Sequence, residues 1–209
     1  MEKRIAEVKR KTKETNITVT LNVDGSGKVK IDTSIGILDH MLELFAFHGL
    51  FDLNILAKGD LKVDIHHTNE DVGIVLGEAF KKALGDKKGI RRFGSVSVPM
   101  EDVTANVAVD ISGRGSFKLT QPTPLVTPLI KKEDHEKYDF GFAEHFFEAF
   151  AKHLGMNFNL IITNSPLTVV VDWHTVLEPV FKGLGIALDQ ATQIDPRRKG
   201  IPSTKGVID

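Results

Sequence analysis

The chain has 209 residues, 26% charged and 41% apolar, with a formal net charge of -1. That length can bury a sizeable core, and the charge balance gives no electrostatic case for nucleic acid or an anionic membrane. Cysteine is absent, which excludes disulfides, thiol nucleophiles and thiolate metal sites, so a metal would rest on histidine and carboxylate.

The N-terminus, Met1-Glu2-Lys3-Arg4, is charged and lacks an apolar segment of the signal-peptide kind. No apolar run approaches a membrane span, so a cytoplasmic chain is expected. Residues 1–15 are basic and polar. Ile17 to Leu21 alternates, Asp24-Gly25-Ser26-Gly27 turns and Val29 to Ile31 alternates again, which predicts a hairpin. Helical spacing runs from Leu38 to Phe47, with Thr33 or Ser34 as its expected cap. Strands are expected over Phe51–Leu56 and Leu61–Ile65, then a helix from His66 to Leu84 closed by Gly85.

The second half repeats this order. Strands are expected over Ser95–Val98 and Ala105–Ile111, and a helix over Phe142–Leu154. Strands at Phe158–Ile162 and Leu167–Val171 and a helix over His174–Ala191 follow. A shift of 105 places Asp39-His40 on Glu144-His145 and His48 on His153. A shift of 108 places Asp64, His66, Glu70 and Gly77 on Asp172, His174, Glu178 and Gly185. The expectation is an α+β fold of two tandem β-β-α-β-β-α halves, 1–92 and 93–209, each a four-stranded sheet with helices on one face, packed together as one unit. Residues 120–140 do not repeat and read as an insertion, and the tail from Asp195 is either frayed or folded over an anionic ligand.

On a helix, His66 and Glu70 stand at i and i+4 on one face, as do His174 and Glu178. His67 points about 100° away, toward a different partner. A His/Glu pair seen twice favours a metal site using nitrogen and oxygen donors. His48 and His153 equally suit helix ends, where the dipole favours them. Arg91, Arg92, Arg114, Lys182, Ser203 and Lys205 would suit a phosphate ester if gathered, and are solvated charge if scattered. Glu14, taken alone, is an ordinary surface acid.

Several stretches resemble the imidazoleglycerol-phosphate dehydratase family nearly end to end. They include K-R-K-T-K-E-T at 9–15, I-G-I-L-D-H-M-L at 35–42 and D-I-H-H-T-N-E-D-V-G at 64–73, with G-I-R-R-F-G at 89–94, V-D-I-S-G-R at 109–114, E-P-V-F-K at 178–182 and I-P-S-T-K-G at 201–206. The resemblance implies dehydration of imidazole glycerol phosphate to imidazole acetol phosphate in histidine biosynthesis. It also implies two Mn2+ ions per active site, sites built between neighbouring subunits, and a homo-oligomeric cage of twenty-four chains. The ring would act as electron sink, stabilised as an imidazolate by the metals. By position, the implied metal ligands are His40, His66, His67, Glu70, His145, His174 and Glu178. Arg92, Arg114, Lys182, Ser203 and Lys205 would hold phosphate, with His48 near the site. Glu14, His67 and Glu178 are the implied catalytic set, Glu14 beside the substrate as acid/base.

The chain departs from that pattern in its second half. Thr175 stands where the second histidine of the pair belongs, and Val170-Val171-Asp172 replaces the usual Gly-x-Asn. A histidine expected near Asn159 is missing, Pro179 follows the glutamate, and Gly115 rather than proline follows Arg114. A hydroxyl is a far weaker ligand than imidazole, so one of the two metals is expected to bind weakly unless water or His135 fills in. The competing expectation is a degenerate member that keeps the cage and acts as a binding or structural protein.

Overall fold

The computed structural model of the chain describes residues 3–121, 138–164 and 172–208. The first half contains β1 (Ile5–Lys11), β2 (Thr15–Asn22), β3 (Val29–Asp32), α1 (Gly36–His48), β4 (Asp52–Gly59) and α2 (Ile65–Leu84). The second contains β5 (Phe93–Met100), β6 (Val103–Asp110), β7 (Ser116–Thr120), α3 (Phe140–Leu154), β8 (Asn157–Asn164) and α4 (Trp173–Thr192). The fold is α+β, two similar halves with a four-stranded sheet and two helices each.

Among the described residues the order within each half is β-β-β-α-β-α, where β-β-α-β-β-α was expected. Two expectations fail here. Leu61–Ile65 is not a strand, since a turn follows β4 and the helix begins at Ile65. The strands flanking Asp24–Gly27 do not pair, because β4 lies between them in the order β1-β2-β4-β3. β4 runs antiparallel to β2 and parallel to β3, so α1 is a crossover rather than an appendage. The second sheet, β5-β6-β8-β7, has the same plan with α3 as crossover.

Alternation explains the inner faces. Ile17, Val19 and Leu21 lie opposite Ala57, Ile55 and Leu53, and all six are buried. β1 was hidden because Glu7, Lys9, Arg10 and Lys11 crowd its edge, the usual protection of an exposed strand.

The helices of one half meet those of the other, α2 against α3 and α1 against α4. Glycines permit the approach. A Cβ at Gly77 would stand 2.8 Å from the Phe150 carbonyl oxygen, and one at Gly185 would collide with that of Phe45. Phe45 and Phe150, themselves equivalent by the repeat, touch edge to face with ring centroids 6.0 Å apart.

The tail is not frayed. Asp195 donates its amide to the Gly89 carbonyl, and Gly89 donates to Gly200, which straps residues 195–200 across the end of α2. Leu167–Val171, His135 and most of the expected insertion lie outside the described residues.

Candidate metal centre

The two helices that carry the His/Glu pairs begin alike. The Asp64 side chain accepts the His66 amide at 2.9 Å, and Asp172 accepts the Thr175 amide at 2.7 Å. This cap fixes the first turn, so the imidazole four residues before each glutamate rises on the same face. The cap expected for α1 differs: Ile35 takes the N-cap position without a side-chain bond. Thr33 instead binds Asp39 through its amide at 2.8 Å and its hydroxyl at 2.5 Å, steadying the turn that precedes His40.

Because α1 packs on α4, His40 reaches His174 and Glu178. The two rings stack with centroids 5.1 Å apart and an interplanar angle of 1°. Both Nε2 atoms face Glu178 Oε1, at 3.4 Å from His40 and 3.3 Å from His174. One donor atom from each residue lies within 4.8 Å of the others. Two imidazoles and a carboxylate so placed fit a divalent first-row cation, needing small movements to close on it. Lys182 hydrogen-bonds to Glu178 through Oε2, leaving Oε1 to the imidazoles. Burial alone would raise the Glu178 carboxyl; hydrogen bonds from Lys182 and His40 outweigh it and hold it below its usual range. His48 lies in the same neighbourhood, where burial first and then the Lys182 charge push its imidazole down, against a smaller upward pull from Glu178.

Because α2 packs on α3, the equivalent residues also assemble. His66 Nδ1 lies 3.0 Å from His145 Nδ1 with the rings at 87°, and His66 Nε2 lies 3.2 Å from Glu70 Oε2. They line a cavity of about 380 Å³ with Ile74, Glu148, Lys152 and His153. Ile74 is the repeat counterpart of Lys182.

His67 joins neither group. Its Nδ1 faces both Asp60 oxygens at 3.1 and 3.2 Å. The Asp60 hydrogen bond, with the charges of Glu14, Asp60 and Asp64, raises its imidazole above the ordinary range despite some desolvation. Glu14 sits in the β1–β2 turn, and its carbonyl accepts the Asp60 amide at 3.1 Å. Asp71 anchors that turn to α2 by accepting from Arg10 at 2.8 Å and Thr15 at 2.5 Å. Neither Asp60 nor Asp71 was among the sequence candidates. Their signal is positional, one beside His67 in space and one next to Glu70 in sequence.

The expected phosphate group is split. Lys182 stays with His40, His174 and Glu178. Arg92 lies at the far end of α4, its amide bonded to the Ala191 carbonyl at 2.8 Å. Ala191 lies thirteen positions beyond Glu178 along the helix, about 20 Å. The Arg92 guanidinium forks onto Asp110 at 2.6 and 3.1 Å and donates to the Pro202 carbonyl at 3.0 Å. This places Ser203 and Lys205 at the same end. Arg114 follows Asp110 by four residues in the turn held by Ser112.

A model of one family, described as imidazoleglycerol-phosphate dehydratase, matches residues 33–188. An imidazoleglycerol-phosphate dehydratase from a Thermoanaerobacter species is 50% identical over 98% of this chain and 100% of its own length. One from Pelobacter propionicus is 46% identical over 98% and 99%. The crystal structure of the Pyrococcus furiosus protein superposes with a TM-score of 0.76 at 34% identity, covering 96% of this chain and 99% of that one. That of the Staphylococcus aureus protein gives 0.74 at 30%, covering 91% and 99%.

Proposed function

The chain belongs to the imidazoleglycerol-phosphate dehydratase family, and we propose on that premise that it removes water from imidazole glycerol phosphate in a metal-dependent step of histidine biosynthesis. The observation that carries the metal dependence is the convergence of His40, His174 and Glu178 on one point. A bound divalent cation, Mn2+ in this reading, would act as a Lewis acid on the substrate's imidazole, so that the ring accepts electrons as the carbon-bound proton leaves.

The chain's own residues supply the rest. His40, His66, His145, His174, Glu70 and Glu178 would hold the cations, two per site. Glu14, an exposed carboxylate at the mouth of a turn anchored by Asp71, takes the carbon-bound proton, and the C–O bond on the neighbouring carbon breaks so that its hydroxyl leaves with a proton as water. His67, kept charged more readily by Asp60, is placed to steady that carboxylate or, once deprotonated, to serve as a further ligand. Arg114, Lys182, Ser203 and Lys205 grip the phosphate. Arg92 holds the tail that presents Ser203, and so contributes to the grip through Pro202 and Asp110. The separation of about 20 Å between Glu178 and the Arg92 end supports a site shared between copies in a large homo-oligomer, with residues 1–92 and 93–209 as the halves of each copy. No described helix is long and apolar enough to cross a membrane.

The second reading, a binding or structural member without turnover, is favoured by Thr175 in place of a histidine. One experiment separates them. Chelator-treated protein is assayed with imidazole glycerol phosphate before and after Mn2+ is restored, alongside complementation of a histidine-requiring strain lacking the dehydratase. Metal-dependent turnover and growth support the enzyme. Turnover that ignores both chelator and Mn2+ sinks the metal dependence, and neither turnover nor growth leaves the second reading standing.

A further inference from the structure

We propose that the two repeat-related clusters are unequal cation sites: His40, His174 and Glu178 bind the first divalent ion, and His66, His145 and Glu70 fill only at higher concentration. This rests on the metal-dependent reading above and assigns an order to it.

The geometry of the two clusters carries the order. In the first cluster both imidazole Nε2 atoms already face the same carboxylate oxygen, at 3.3 and 3.4 Å. In the second, His66 is used on two edges of its ring, Nδ1 toward His145 and Nε2 toward Glu70. A single ion can take only one of those nitrogens, so this cluster must rearrange before three donors converge. Donors that converge beforehand bind more tightly, because ordering them costs nothing at the moment of binding.

The carboxylates differ as well. The Glu178 side chain is 11% exposed and that of Glu70 is 47% exposed. An ion beside Glu178 is less screened and its ligand has fewer rotamers to lose. Lys182 occupies the outer oxygen of Glu178 and fixes the carboxylate plane. Ile74, its counterpart, has no charge to do the same for Glu70.

The repeat offers no compensation. His67 lies outside both clusters, and its counterpart Thr175 has no imidazole. This position therefore supplies one extra imidazole per chain for two clusters.

The test is a Mn2+ titration of the full-length, chelator-stripped protein at one pH, with free Mn2+ read by electron paramagnetic resonance. Two classes of one ion per chain are expected, with dissociation constants separated by about tenfold or more. His174→Asn should remove the tight class and leave the weak one, and His66→Asn should do the reverse. Both positions are partly exposed, and circular dichroism checks that each variant is folded. Glu70→Gln, at the more exposed carboxylate, is the second probe of the weak class. Two equal sites would overturn the order while leaving the metal-dependent reading intact. Loss of the tight class in His66→Asn would overturn it too. No bound Mn2+ at all would overturn both.

Discussion

Glu178 shows how much one side chain can be asked to do. Its Oε1 faces two imidazoles, its Oε2 takes the Lys182 ammonium, and the surrounding packing leaves it nearly buried. Glu14 is the contrasting carboxylate, exposed, with its backbone bonded to Thr12 and Asp60 and its charge acting on His67. On the proposed role of Glu14 as acid/base, a Glu14→Gln variant keeps the turn but cannot carry the proton, so kcat should fall about 10²- to 10⁴-fold with Mn2+ content unchanged. Equal loss of bound Mn2+ would place Glu14 among the ligands instead. Thr175 makes a different point. It is buried and its amide is tied to Asp172, whereas His67 stands partly in solvent against Asp60. Thr175→His should raise the number of Mn2+ ions retained per chain after dialysis. Unchanged retention would mean that the missing imidazole is not what limits occupancy.

At the scale of the element, close helix contact is what makes each cluster. Gly185→Ala would drive a methyl into the Phe45 carbonyl, forcing α1 and α4 apart. A loss of about 1–3 kcal/mol in urea unfolding is expected, with looser Mn2+ binding at the His40 cluster. A variant as stable as the parent would show that the helices can slide without cost. β1 depends on another contact. Arg4 forks onto Asp24 and donates to the Thr192 carbonyl at the end of α4. The Arg4 hydrogen bond is the main reason the Asp24 carboxyl lies below its ordinary value of 3.8. A depressed carboxyl adds stability above that ordinary value, and the contribution fades as pH falls through the lower, folded-state value. Asp24 is largely exposed, so Arg4→Met should cost about 1 kcal/mol or less near neutrality, and the part owed to Asp24 should shrink in acid. Urea midpoints at the two pH values check it; a cost that grows on acidification contradicts the assignment.

At the scale of the molecule, α2 and α4 keep the two His/Glu pairs at their N-terminal ends, while the 195–205 tail and Arg92 gather at their C-terminal ends. A substrate much shorter than a helix cannot bridge them in one copy. Co-expressed His174→Asn and Arg92→Ala chains, each inactive alone, should therefore regain part of the turnover when assembled together. Absence of recovery would place the whole site within a single chain.

The repeat of residues, the α+β class, the four described helices and the two His/Glu pairs could be read from the sequence, because helical period and i,i+4 spacing are local properties. The family resemblance added the expectation of Glu14 as acid/base and of Arg92, Arg114, Lys182, Ser203 and Lys205 as a phosphate grip. Strand order was not local. β2 and β3 alternate as a hairpin would, yet β4 pairs between them, since a buried central strand hides more apolar surface than a two-stranded ribbon. The charged edge strand β1 and the short β7 carried too little apolar pattern to be seen. The sequence by itself determined which imidazoles and carboxylates are paired along each helix. Only the tertiary structure decided that His40 joins the pair from the other half, that His67 turns to Asp60, and that one cluster converges while its twin does not. The two clusters depend on how closely helices from different halves approach, which is set by Gly77, Gly185 and the phenylalanines between them, while the His67 contact depends on the turn after β4 that brings Asp60 to the start of α2.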